Sequence, residues 1–229
     1  GNLLTVNAVT GITLGTANTI TSFNATNTTS GNVSLTDAGT TDITGVTQTG
    51  GNFSLTTTGA ITQSGTISVS GTSSFTTGGA AITLSTATND FTGAVSLANT
   101  GAANEVTIRD VNAIVMGAST IGHNLTITAG GNITQTGSLI SSNAGLLTAK
   151  TLSAGTANIT LSDSGNAFAN VDLRARNAGD SANANGAITY RDTDALVVST
   201  IGTTGNVTLT TGGALTQSGA IVGGLLTAT

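Results

Sequence analysis

The chain has 229 residues, of which 49 are Thr and 32 Gly, with no Pro, Cys or Trp and only 7% charged side chains. Five basic against ten acidic residues leave a net charge of −5, so there is no Lys/Arg surface to neutralise phosphates, and nucleic acid is excluded as an expected partner. Without cysteine there are no disulfides or thiolate metal sites, and no run reaches the roughly 18–20 apolar residues of a membrane span, so membrane insertion is not expected.

A Ser/Thr/Asn/Gly-rich chain of low charge could be disordered, yet 38% of the residues are hydrophobic and the mean hydropathy is +0.26, which leaves apolar surface to bury. That surface is mostly Ala, Val, Ile and Leu with five Phe, which suits thin aliphatic layers. In chain order, the segments 32–36 (NVSLT), 52–56 (NFSLT), 81–85 (AITLS), 124–128 (NLTIT), 158–162 (NITLS) and 206–210 (NVTLT) each alternate apolar and hydroxyl residues. This is the period of a short strand with one face inward. No segment carries a sustained helical period, and the frequent glycines penalise a helix by about 1 kcal/mol each. Corners fall at 58–59 (TG), 78–79 (GG), 130–131 (GG), 164–166 (SGN) and 212–213 (GG). Asn185-Gly186 is the single hairpin-type dipeptide, so the strands are expected to be parallel rather than joined by tight antiparallel turns.

A longer repeat overlies this alternation. The phrase ITQSG or a close variant begins at Ile61, Ile133 and Leu215, spacings of 72 and 82. Upstream, Val33–Asp37 (VSLTD), Val106–Asp110 (VTIRD) and Ile188–Asp192 (ITYRD) recur at 73 and 82. Ser-Thr-Ile-Gly occurs at 119–122 and 199–202, and Leu-Leu-Thr at 3–5, 146–148 and 225–227. Constant strands with variable corners are solenoid behaviour. A single β-solenoid segment over 1–229 is therefore expected, with blocks ending near 65, 137 and 219, no recognisable caps, and the character of a slice from a longer array. Four coils of three short strands per block predict about 11–12 coils, a rod of roughly 55 Å at about 4.8 Å per coil.

The Gly-Asn-apolar-Thr-apolar strands, the Gly-Gly corners and the Thr-Gln-Ser-Gly phrase resemble large repetitive bacterial surface proteins of the filamentous-haemagglutinin and autotransporter-passenger type, over the whole chain. The resemblance implies an all-β, right-handed parallel β-helix, export to the cell exterior, and a stalk or adhesive role. The amino-terminal secretion domain and polar capping strands of that group are not recognisable here.

Candidate chemistry is sparse. Glycan-cleaving β-helices need carboxylates placed across a bond, and the densest charged patch here is Arg191, Asp192 and Asp194, with Arg174 and Arg176 about one coil earlier. Asp37 and Asp110 hold the phase of Asp192, which favours a turn role for all three. The single histidine, His123, replaces the Gly51 and Gly205 of the other copies and has no clustered ligands around it in sequence. The Gly-Gly-x-Gly-x-Asp repeat of calcium β-rolls is missing. Eight Asn-x-Ser/Thr sequons, among them Asn24, Asn52, Asn132 and Asn206, follow from composition and corner chemistry. No catalytic, cofactor or metal residue is expected. The leading reading is a non-enzymatic extracellular structural or adhesive rod that stacks end to end or side by side, with host-surface, glycan or biofilm-matrix ligands. An ice-binding helix with Thr-x-Thr ladders is the alternative, and a polysaccharide-acting enzyme is the third.

Overall fold

In the computed structural model, which describes residues 2–229, the chain is an all-β solenoid of about eleven turns. Every strand–strand ladder is parallel, and no helix occurs among the described residues. Each coil crosses two sheets. The first sheet stacks Leu3–Ala8, Ser22–Asn27, Thr41–Gln48, Ile61–Gln63, Ile82–Leu84, Val106–Asp110, Leu125–Ala129, Leu146–Ser153, Asn170–Asn177, Leu196–Gly202 and Leu215–Gln217. The second stacks Ile12–Asn18, Val33–Asp37, Phe53–Thr57, Ser73–Thr77, Val95–Ala98, Ile114–Met116, Ile133–Gln135, Ile159–Leu161, Ile188–Asp192, Val207–Thr211 and Leu226–Ala228.

The alternation read from sequence is the alternation of burial. Val33, Leu35 and Asp37 are buried while Ser34 and Thr36 are half-buried, and the same pattern holds in Leu125–Ala129. Register stacks like on like, for example Ile61 on Ile82, Ile82 on Val106, Val106 on Leu125 and Leu125 on Leu147. The core is thus a set of aliphatic columns along the axis, with one aromatic inset of Phe53, Phe75 and Phe91.

Two expectations need correction. Three strands per coil holds only in part: the coil from Phe53 has them, at Phe53–Thr57, Ile61–Gln63 and Ile67–Val69. The coils from Ser73, Ile114, Ile133 and Val207 have three as well, whereas in others, such as the coil from Val33, two sides merge into one bent strand. In Thr41–Gln48 the register slips past Thr44, so that Phe23 faces Ile43 but Asn24 faces Gly45, a bulge that bends the strand without breaking it.

The block is also not four coils. From Val33 the ladder runs through Phe53 and Ser73 to Val95, three coils within the second sheet, but the next copy of the phrase, at Val106, lies in the first. From Val106 three further coils pass through Leu125 and Leu147 to Val171, and the following copy, at Ile188, is back in the second sheet. Each block therefore spans three and a half coils, and equivalent residues alternate between opposite sheets. Sequence spacing reported the block length but could not report the coil length, because coils stretch: Ile133 pairs with Ile159 and Ile159 with Ile188, the extra residues looping out at corners.

Candidate functional site

The repeated phrases build polar staples between coils. In each block an Asn-x-(Ile/Phe) step precedes the phased aspartate by one coil: Asn18 and Ile20 before Asp37, Asn89 and Phe91 before Asp110, Asn166 and Phe168 before Asp192. The Asn amide donates to a carbonyl four or five residues back, Leu14, Leu84 or Leu161, at 3.1, 3.3 and 3.2 Å. The aspartate accepts the backbone N–H of Ile20, Phe91 or Phe168 at 3.0, 2.7 and 3.0 Å. Its second oxygen takes the N–H two residues on, from Gly39, Asn112 or Asp194, at 3.1, 2.6 and 3.0 Å. Buried polar groups require such partners. Burial pushes the Asp110 carboxyl above its ordinary value against those two hydrogen bonds. Asp192 also accepts from the Tyr190 hydroxyl at 2.7 Å, and burial followed by this carboxylate raises the phenol.

The Gln of ITQSG has the same kind of task. Gln63 and Asn89 exchange side-chain amide hydrogen bonds across one coil, and Asn89 Oδ1 accepts the Ile67 N–H at 3.0 Å. Gln135 and Asn166 repeat this at 2.8 and 3.0 Å, with Leu139 N–H on Asn166. Gln217, in the last coil, is exposed. Corner asparagines, most of them in sequons, are spent in the same way: the side-chain oxygens of Asn32, Asn52, Asn132 and Asn158 accept the N–H of Asn52, Thr72, Asn158 and Ala187, each one coil on.

The charged residues singled out from sequence do not meet in one patch. Arg174 and Arg176 stand on Asn170–Asn177 in the first sheet, whereas Arg191 and Asp192 stand on Ile188–Asp192 in the second, with Asp194 in the turn after it. Arg174 holds Asp172 in a fork at 2.6 and 2.8 Å. Arg176 and Lys150 both grip Asp180, at 2.9 and 2.6 Å, and Arg176 also reaches Asn183. Asp180 sits at the tip of an outward loop with φ 55°, a left-handed conformation that Asp tolerates. Nδ1 of His123 lies 3.6 Å from Glu105 at a corner, and no group of three or more metal-ligating residues gathers among the described residues. A surface cleft of about 340 Å³ is lined by small side chains such as Ser74, Ser96, Ala98 and Thr120 with Ile140, and none of its lining residues titrates.

Hydrogen bonds from Lys150, then Arg176, hold the Asp180 carboxyl below its ordinary value of 3.8. A depressed folded-state value means that the pair stabilises the loop fully above the unfolded value and loses that contribution as pH falls below it. The groups are partly exposed, so the contribution is at most about 1 kcal/mol. Amide protection across residues 177–183 should fall on acidification below about pH 4 while the sheets keep theirs, and Asp180→Asn should abolish this pH dependence. Unchanged protection down to pH 2 would contradict the clamp.

A family model described as repeats of unknown function (DUF5649) matches three stretches, 30–98, 103–173 and 185–229. The chain belongs to the DUF5649 family. No curated protein and no solved structure is significantly similar to it. The DUF5649 repeats begin 73 and 82 residues apart, the same spacings as the Val33, Val106 and Ile188 flanks. One DUF5649 repeat is accordingly the unit of three and a half coils, and the Asn, Asp and Gln staples are its recurring polar content.

Proposed function

We propose that this DUF5649 array serves as a rigid extracellular rod, a structural or adhesive repeat region at a bacterial surface of the filamentous-haemagglutinin type. What supports this reading is the unbroken parallel stacking of about eleven coils in which the recurring polar residues are consumed in holding coil to coil. Stacks of short strands bonded at every register are stiff, and low charge permits rods to associate side by side or end to end. Host-surface, glycan or matrix ligands are the partners proposed for such a rod. Protease shaving of intact cells with antibody labelling tests the placement, and electron microscopy of the purified chain tests the rod. Labelling that requires cell lysis would remove the extracellular reading, and compact particles instead of rods or fibres would remove the structural one.

A second reading rests on the hydroxyl ladders. Thr160, Thr189, Thr208 and Thr227 are consecutive partners in the second sheet, and Ser34, Ser54, Ser74 and Ser96 run beside Thr36, Thr56 and Thr76 earlier in it. Ordered hydroxyl rows can bind ice. Thr13 pairs with Ser34 and extends the earlier row to five rungs, so the two rows are short segments of four and five hydroxyls rather than one face along the rod. Thermal hysteresis at the growing ice front would support this function, and its absence together with unaltered recrystallisation would dismiss it.

A further inference from the structure

Three of the five basic side chains, Lys150, Arg174 and Arg176, are engaged in ion pairs. The other two, Arg109 and Arg191, make no side-chain hydrogen bond or ion pair among the described residues. They occupy the same position of successive repeats, in VTIRD and ITYRD, and each lines a cleft built on the same two-coil frame. In the first, about 130 Å³, Arg109, Asp110 and Val111 of one coil face Thr128, Ala129 and Gly130 of the next, with Ala87, Leu152 and Ala178 closing the sides. In the second, about 190 Å³, Arg191, Asp192 and Thr193 face Thr210, Thr211 and Gly212. The register places Thr128 beside Arg109 and Thr210 beside Arg191. The first repeat has Thr36 at this position and so has no such cation.

We infer that these two clefts are equivalent binding sites for the carboxylate of an acidic sugar, with Arg109 and Arg191 as the anion-binding groups and Thr128 and Thr210 as hydroxyl partners. A guanidinium matches a planar carboxylate through two parallel hydrogen bonds. The aspartates in the clefts do not occupy it: Asp110 and Asp192 are buried, with both oxygens taken by backbone N–H groups. Asp163 accepts from Ser138 at 2.7 Å and the Gly165 N–H at 2.8 Å, which hold its carboxyl below its ordinary value, with Arg191 adding only a lesser charge effect and no bond. One cation per cleft on a chain of net charge −5 suits a singly charged group and repels dense polyanions. Hydroxyls stand beside each guanidinium, Thr128 alone in the first cleft and Ser164, Thr193, Thr210 and Thr211 in the second, and the aliphatic wall of the first can take the apolar face of a sugar ring.

The sites lie three and a half coils apart, about 17 Å along the axis, and in opposite sheets. One rod therefore engages two separate glycan chains and cross-links them. The assignment goes beyond the rod reading and does not depend on it.

Titration calorimetry with tetragalacturonate should give two sites per chain at a Kd of about 1 mM or tighter. Arg109→Gln and Arg191→Gln should each remove one site and the double variant both, with melting temperatures unchanged. Arg→Lys variants should bind more weakly through a single point charge. The methyl-esterified tetramer should not bind. Long polygalacturonate should scatter light more strongly with the wild-type chain than with either single variant. Absence of saturable binding, binding that survives the double Gln substitution, equal binding of the methyl ester, or capture of a carboxyl-terminal peptide in place of the sugar would each overturn the assignment.

Discussion

Replacing Phe75 with alanine should lower the unfolding free energy by about 3–5 kcal/mol, the cost of truncating a fully buried aromatic whose surroundings cannot collapse. Phe75 is inaccessible to solvent and meets Phe53 and Phe91 edge to face, with ring centroids 5.5 and 6.1 Å apart. Each such contact adds about 0.5–1.5 kcal/mol beyond area burial. The neighbours in its own column are Leu55 and Leu97, held by coil-to-coil hydrogen bonds on either side, so the hole left by the ring stays open. Because coils touch only their neighbours, the damage should remain local and separate the array into two cooperative units. Calorimetry should show one transition becoming two, with hydrogen exchange fastest between residues 53 and 98. A single transition at the wild-type temperature would refute this account of the core.

Gly65→Ala should be of similar severity for a steric reason. The last glycine of ITQSG packs against the preceding coil so closely that an added Cβ would lie 1.8 Å from the Thr44 carbonyl oxygen. The N–H groups of Ser64 and Gly65 both donate to the Ile43 carbonyl, which pins this corner to the coil below it. A methyl group forces the two coils apart, at a cost of about 3 kcal/mol. Gly219, in the same position of the third copy, has the same contact with Ser199 at 1.9 Å. Gly155, where an added Cβ would meet nothing within 4 Å, supplies the matched control, and Gly155→Ala should leave chemical denaturation unchanged. Equal midpoints for the two alanine variants would show that coil contact does not govern these glycines.

The reason the phrase recurs follows from these contacts. Its Ile fills the core, its Gln pairs with the next coil's Asn, and its Gly lets two corners touch. In the copies beginning at Ile61 and Ile133 none of the three is free to bind a partner, whereas Gln217 is exposed in the last coil. What the repeat leaves free is the outward position before the buried aspartate, where Arg109 and Arg191 stand.

The strands, their inward and outward faces, the parallel stacking and the glycine corners were all legible in the sequence, because burial in a thin sheet imposes a period of two on neighbouring residues. The turn role of Asp37, Asp110 and Asp192 was legible too, since a shared phase marks a requirement of the fold. The Asn-x-(Ile/Phe) partners of those aspartates, one coil upstream, were visible only as unconnected residues. Chain spacing within a coil varies with its loops, so a contact between coils has no constant sequence distance. For the same reason sequence proximity groups Arg174 and Arg176 with Arg191, although they belong to the other sheet. Local alternation is a property of adjacent residues, and the sequence by itself determined it. The half-coil remainder of each repeat depends on where every coil closes, and only the tertiary structure decided that equivalent residues face opposite ways.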